Sequence, residues 1–384
     1  MKRIALSTLS LALLGVTGAA HAQSSVTLYG LIDESFQYVH HADASNNNLY
    51  QLYSGNLQGS RWGLKGTEDL GGGLKAIFQL ENGFNPNNGK LGQGSRIFGR
   101  QAYVGLTHDS YGTVTLGRQY DPVVDLVQPL TADNYFGSTF TTPGDVDNND
   151  NSSRTNNAIK YTSPVFSGFQ FEGFYALGGV AGQTGSGQTW SGAATYATGP
   201  FSLAAGYIRM DNASSSTLRT AWGGTSDGTF DSVINNAYQT AKSIGIASVA
   251  AQYIAGPFTF SLRYSNAQYK SDAASAFGGT EKFNVGAGYV GYQLTPAMLL
   301  GLGYTYTHGT GDTKATYHQI SLGGDYSLSK RTDLYLVGAY QHASGSQRLA
   351  DGTVVGAGAS VADYGYDSNS TGSEIVSLGI RHKF

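Results

Sequence analysis

The chain contains no cysteine, which excludes a disulfide scaffold, a thiol nucleophile and any thiolate metal site. Proline is scarce, 8 in 384 residues, and only 13% of side chains are charged. With aromatics at 12%, so low a charge also excludes a disordered chain. Membrane-spanning helices are missing as well. Mean hydropathy is −0.22, and the two stretches free of Asp, Glu, Lys and Arg, 244–262 and 283–311, each carry a proline near the middle (Pro257, Pro296) among many glycines. Neither residue is tolerated well inside a helix. What is abundant is glycine: its 54 residues are about twice ordinary usage and lack the three-residue period of collagen.

The N-terminus carries an address. Lys2 and Arg3 precede an apolar run from Ile4 to Ala20, and Ala20-His21-Ala22 is a small-x-small cleavage site. The run is too short and wrongly flanked for an anchor, so residues 1–22 read as a secretory signal peptide and 23–384 as the mature domain. Removing Lys2 and Arg3 from the 23 basic residues leaves 21 against 26 acidic ones, a net charge of −5. That balance gives no reason to expect nucleic acid as a partner.

The mature sequence alternates with period two. Val26, Leu28 and Ile32 oppose Thr27, Tyr29 and Asp33; Trp62 and Leu64 oppose Arg61 and Lys65; Phe258, Phe260, Leu262 and Tyr264 oppose Thr259, Ser261, Arg263 and Ser265. In 283–306, Phe283, Val285, Ala287 and Tyr289 share one parity, and beyond Pro296 so do Met298, Leu300, Leu302, Tyr304 and Tyr306. This is a strand signal. Seven short turns, such as Thr107–Gly112 and Leu294–Pro296, alternate with eight longer polar segments, near 38–60, 82–99, 120–157, 178–188, 210–242, 269–281, 308–315 and 343–372. They join sixteen strands, and at about 10 residues per tilted crossing the length closes. The second face is Gly, Ser, Thr, Gln and scattered charge. Lipid outside and water inside a closed sheet is the arrangement of a transmembrane β-barrel, with tyrosine and tryptophan expected as interfacial belts. The last residues, Val376, Leu378, Ile380, His382 and Phe384, share one parity, and Phe384 reads as a C-terminal assembly signal.

Several segments carry a family resemblance: Ser25-Val26-Thr27-Leu28-Tyr29-Gly30, Ser60-Arg61-Trp62-Gly63-Leu64-Lys65-Gly66-Thr67-Glu68-Asp69-Leu70-Gly71, Phe98 to Leu106, Tyr111 to Tyr120 and Ile380 to Phe384. They resemble the trimeric general porins of Gram-negative outer membranes, in their β-proteobacterial branch. The resemblance implies an all-β, 16-stranded antiparallel barrel with short periplasmic turns and long extracellular loops. Its third loop, here 120–157, would fold inward to narrow a water-filled pore for ions and small hydrophilic solutes. It further implies a homotrimer in the outer-membrane bilayer, contact with lipopolysaccharide, delivery by the barrel insertion machinery, and no cofactor.

That loop carries Asp121, Asp125, Asp133, Asp145, Asp147 and Asp150 against Arg154 alone. Opposite them, Arg61 and Lys65 have lumenal parity, while Arg100 and Arg154 resemble the family's other pore arginines. Arg100 shares the outward parity of Ala102, Val104 and Leu106, so a bulge or strand end must re-aim it, and Arg118 has the same difficulty. Opposed charges across a constriction orient polar solutes and set ion preference. The negative charge and acidic loop favour cations, whereas relatives with arginine-rich pores favour anions.

Other motifs weigh less. Gly286 to Gly291 matches G-x-G-x-x-G, but the chain continues as strand where a dinucleotide site needs a helix, so these are small residues on a pore-facing strand. Asp145 to Asp150 begins like a calcium loop but lacks the sixth-position glycine and the terminal glutamate, leaving adventitious divalent binding as an alternative. No catalytic constellation is present: the histidines show no metal spacing and no serine sits in a nucleophile elbow. A solute-specific channel and a barrel with an adhesin role through its surface loops are the alternative functions.

Overall fold

The computed structural model describes residues 24–384, so the expected signal peptide lies outside the described residues. Sixteen antiparallel strands form one closed sheet. They are β1 (Ser25–His40), β2 in two segments (Leu49–Ser54 and Arg61–Gly71), β3 (Leu74–Gly83), β4 (Gln101–His108), β5 (Gly112–Gln119), β6 (Thr155–Thr162), β7 (Phe169–Ala176) and β8 (Thr189–Thr198). Then follow β9 (Phe201–Asp211), β10 (Ser243–Ala255), β11 (Phe258–Lys270), β12 (Glu281–Thr295), β13 (Met298–Thr310), β14 (Lys314–Ser327), β15 (Thr332–Arg348) and β16 (Gly372–Lys383). A short ribbon, Val354–Gly356, extends β15 within the last loop.

Closure is made by β16, which pairs with β15 on one side and with β1 on the other. A closed sheet meets the backbone hydrogen bonds that hydrocarbon cannot. The seam runs to the last residue. Phe384 exchanges both backbone hydrogen bonds with Gly30, at 2.9 and 3.0 Å, and its ring lies where a Cβ on Gly30 would meet it at 2.5 Å. Only a residue without a side chain lets the terminal aromatic lie flat there.

The outer face is apolar, as the alternation predicts: Val26, Leu28, Phe36, Leu262, Leu322 and Leu378 are all more than half exposed. The inner face departs from expectation on β10 to β15. On β12 the apolar parity, Phe283, Val285 and Tyr289, points inward and is buried, while Asn284, Gly286 and Gly288 point outward. The glycines of the G-x-G-x-x-G match therefore face the membrane side rather than the pore, apart from Gly291. The reason is that loops fill this half of the barrel. Val233, Ile234, Tyr238 and Ala241 of the loop after β9 pack with Ile244, Ile246, Tyr269, Phe283, Val285 and Tyr317 of the wall in one hydrophobic cluster. Tyr238, Tyr269, Tyr317 and Tyr335 are fully buried inside, so part of the tyrosine content builds an internal core. Others, including Tyr50, Tyr253, Tyr264, Tyr304 and Tyr340, face outward as the belt reading expects.

The long loop after β5 is seated on this half. Its first helix, α1 (Pro122–Leu126), lies against β8 and β9. Farther on, Phe136 and Phe140 stack at 4.9 Å and press into notches left by Gly301 and Gly303 of β13 and Gly323 of β14. Each notch is real in the geometric sense: a Cβ on Gly301 or Gly323 would stand 2.2 or 2.5 Å from the Phe136 ring. The loop then reaches the break in β2, where the Ser138 amide donates to the Asn56 carbonyl at 3.2 Å. It has thus swept round the inner wall and left open only the side bounded by β2 to β6.

Replacing Gly323 with valine is expected to displace Phe136 at a cost of about 1–3 kcal/mol. The temperature at which the folded barrel loses its compact electrophoretic mobility should fall, and single-channel conductance should rise. Gly324→Val, on the outward face of the same strand, should change neither. Equal behaviour of the two variants would contradict the seating.

Candidate functional site

The space between the long loop and the β2 to β6 wall is a cavity of about 890 Å³. Arg61, Arg96, Arg100 and Arg154 line it, together with Asp125, Asp133, Asp150, Asp227, Asp231 and Asp363. Each of these side chains arrives by a local device that can be named.

Arg61 opens the second segment of β2, just after a break at 55–60. Buried Asp33 of β1 pins that break: it accepts the Leu57 and Gln58 amides, each at 2.7 Å, and the Tyr335 hydroxyl at 2.5 Å. Arg100 lies one residue before β4, so the strand's end frees it from outward parity. Its Nε donates to Glu81 of β3 at 2.8 Å. Arg118 is re-aimed by a bulge, since register shifts between Gly117 and Gln119 and Gly117 takes φ of 139°. Its guanidinium then pairs with Asp227 and donates to Asn156 at 2.8 Å. Arg154, at the end of the loop, faces the Tyr120 ring at 5.7 Å; Arg100 meets the same ring at the same distance. Tyr120 therefore keeps two like charges close together through favourable ring contacts, and its hydroxyl donates to Glu81 at 3.0 Å.

Lys65 shares the lumenal parity of Arg61 but does not line the cavity. It lies four residues nearer the short turn, exposed, with its ammonium 5.4 Å from the Tyr29 ring.

The acidic loop is not a row of free carboxylates. Asp125 and Asp133 line the cavity, but Asp121, Asp145 and Asp147 turn away from it, a correction to the expectation that all five face the pore. Asp121 caps α1, accepting the Val123 and Val124 amides at 2.8 and 3.4 Å. Burial still outweighs those donors and pushes its carboxyl up to about 6. Asp145 accepts the Asp150 amide at 2.9 Å and both the amide and hydroxyl of Ser152. Burial, and after it the Asp150 charge, raises it to about 8. Asp147 is buried in a pair with Arg263 of β11 and accepts from Ser265, which fastens the loop to the wall. Among the described residues no His, Cys, Asp and Glu group of metal-holding geometry occurs.

Asp150 of the same loop also lines the cavity, and the other cavity acids come from elsewhere in the sequence. Asp227 and Asp231 belong to the loop after β9, and Asp363 to the last loop. No local signal marks them, because each is brought in by a loop folding back over a distant wall. Asp125 is paired with Lys160 of β6, and Asp227 bridges Arg118 and Arg96, the latter at 3.4 Å. Asp133 and Asp363 are both held well above the ordinary carboxylate range, by burial first and then by the Asp150 charge. Asp150 itself accepts the Ser138 hydroxyl at 2.6 Å. Arg61 and Arg154 have no carboxylate partner among the described residues. Burial, and next the Arg100 charge, brings the Arg154 guanidinium down to about 10, which leaves it cationic at neutral pH.

Comparison with known proteins agrees with this architecture. The sequence matches the Gram-negative porin family over residues 7–346. It is 31% identical to an outer membrane porin protein of Bordetella pertussis, across 93% of this chain and 99% of that protein. The structure superposes on an anion-selective porin from Comamonas acidovorans with a TM-score of 0.72 at 27% identity, covering 94% of this chain and all of the other (100%). A trimer form of the outer membrane protein OmpT of Vibrio cholerae shares the fold, with a TM-score of 0.65 at 15% identity and coverage of 94% and 99%.

Because Asp133 and Asp363 ionise later than ordinary carboxyls as pH rises, acidification should remove negative charge from the cavity, and alkalinisation should add it. In bilayer recordings across a salt gradient the reversal potential should move toward the anion side as pH is lowered, and D133N/D363N should flatten that dependence. A shift of the opposite sign, or an unaltered one in the double variant, would refute the assignment.

Proposed function

The chain belongs to the Gram-negative porin family and forms a passive channel in the outer membrane; from that premise we propose that its pore favours small anions over cations. The observation that carries the proposal is the fate of the charges. Most carboxylates of the acidic loop are used up as a cap, an internal acceptor, a wall anchor or one half of an ion pair. Arg61 and Arg154 line the cavity with no carboxylate partner among the described residues. Asp125 and Asp227 are spent on Lys160, Arg118 and Arg96, and burial disfavours ionisation of Asp133 and Asp363, so much of the negative charge around the opening is offset; a narrow low-dielectric passage amplifies the effect of the arginines left unpaired. One solved structure that this chain resembles, the porin from Comamonas acidovorans, is itself described as anion-selective. Arg61, Arg100 and Arg154 are thus the proposed selectivity residues. Asp125 and Asp133 face them, and Lys65 acts below as a lumenal charge.

The assembly is proposed to be a homotrimer. β4, β5, β6 and β7 have 8 residues each, whereas β10 to β15 have 13 to 17. A tilted strand needs about 9–11 residues to cross the hydrocarbon layer. The short wall therefore suits contact with neighbouring copies better than contact with lipid. Phe384, seated on Gly30 at the seam, is the proposed signal for the insertion machinery.

Planar-bilayer recording of the purified protein across a KCl gradient tests both readings. The reversal potential should have anion sign, and closures should come in threes. Substituting Arg61 and Arg154 together by glutamine should lower the anion-over-cation permeability ratio about tenfold, equivalent to roughly 1.4 kcal/mol of charge interaction. A cation-sign potential in the unaltered protein would overturn the anion reading.

A further inference from the structure

The cavity holds unmet demand of both signs, and the passage of simple anions uses only one of them. Its basic side is Arg61 and Arg154, without carboxylate partners among the described residues. Arg154 is buried, its Nε meets no acceptor among those residues, and its Nη1 turns back along the chain to donate to the Ser152 carbonyl at 3.2 Å.

The acidic side is a corner where Asp133 and Asp150 of the long loop meet Asp363 of the last loop. Asp133 and Asp363 each lie within hydrogen-bonding reach of Asp150. Among the described residues no amide, hydroxyl or cation donates to Asp133 Oδ1 or Asp363 Oδ1, both of which are buried. None of the three carboxyls belongs to an ion pair there. The other titratable groups around the corner are Asp145 of the same loop, Tyr53 of β2 and Tyr364 of the last loop. Three carboxyls so placed cannot all ionise, so the corner keeps protons that another cation can replace.

The two sides are close together. Asp150 and Ser152 are at most about 7 Å apart at the backbone, and the Arg154 guanidinium sits on the Ser152 carbonyl. The break in β2 repeats the juxtaposition. Asn56 accepts the amide of Ser138, whose hydroxyl donates to Asp150, while Arg100 Nη1 lies 3.2 Å from where a Cβ on Gly59 would stand. A two-residue chain spans at most about 7 Å as well.

We propose that the cavity binds small zwitterions of amino-acid to dipeptide size, with their carboxylate on Arg154 and Arg61 and their ammonium on the corner of Asp133, Asp150 and Asp363. The inference rests on the reading of those two arginines as the anion-facing charges of the pore. A simple anion satisfies the arginines and leaves the acids facing a second negative group. A zwitterion satisfies both, and its ammonium offers three donors to the three carboxyls. As it enters, a proton leaves the corner for water, so binding weakens as pH falls.

The test records KCl current through the purified protein in planar bilayers while diglycine is added at millimolar concentrations. N-acetyl-diglycine and diglycine amide share its backbone and each lack one charge. Diglycine should reduce the current at about tenfold lower concentration than either, since each removes a charge-assisted contact. Lowering the pH from about 7.5 to about 5 should weaken the diglycine block and leave that of N-acetyl-diglycine undiminished. D150N/D363N should still be blocked by N-acetyl-diglycine, which shows a folded pore, and should lose the preference for diglycine over it. R61Q/R154Q should lose both blocks. The reversal potential in the same membranes separates the two readings: cation sign defeats the anion reading, whereas anion sign with equal block by diglycine and N-acetyl-diglycine overturns the zwitterion site alone. A preference for diglycine that survives in D150N/D363N overturns it too.

Discussion

Hydrocarbon offers no hydrogen-bond partner to a peptide group, and this barrel is organised round that fact. Each backbone donor and acceptor in the wall is met by the next strand, and the circuit closes only because β16 runs its last residue alongside β1. The Phe384 backbone bonds to Gly30 and its ring takes the space that a side chain on Gly30 would need. Once the sheet is closed, apolar side chains of one parity are committed to the outside. The interior then has a perimeter set by sixteen strands, too wide for side chains alone to fill. Loops must occupy it, and where they settle decides the shape of the passage.

The settling is governed by shape. Phe136 and Phe140 fit where Gly301, Gly303 and Gly323 leave the wall bare, and Asp147 fixes the same loop through Arg263. The loop after β9 adds its own hydrophobic residues to the wall of β10 to β14, building a second core on what would otherwise be a wet surface. The channel is displaced to the opposite side, against β2 to β6, where the arginines stand. Packing on one side of the barrel and the charged lining of the passage on the other are therefore linked by a single loop.

The charge pattern follows from the same geometry. A count of acids and bases suggests a cation channel, yet charge matters only where it faces the passage and is not already neutralised. Asp121 and Asp145 serve backbone amides, and Asp147 and Asp125 serve Arg263 and Lys160. Asp133 and Asp363 are crowded with Asp150 in a buried corner. Arg61 and Arg154 have no such obligations, and the Tyr120 ring lets Arg100 and Arg154 stand near each other.

Much of this was legible in the chain. Alternation at period two, turns alternating with loops, and the apolar last strand determined an outward-apolar closed barrel, because side chains on a strand point to opposite faces whatever their neighbours. The inward-facing Arg61 and the length of the 120–157 loop were legible for the same local reason. Tertiary structure alone decided which of its aspartates meet the pore. It turned Phe283, Val285 and Tyr289 inward, since a buried face next to an inserted loop reads like a face next to lipid. It also brought Asp227, Asp231 and Asp363 to the arginines from loops far along the chain. Parity is a property of one strand, whereas the lining of a passage depends on which loops fold into it, and that is settled only when distant surfaces pack.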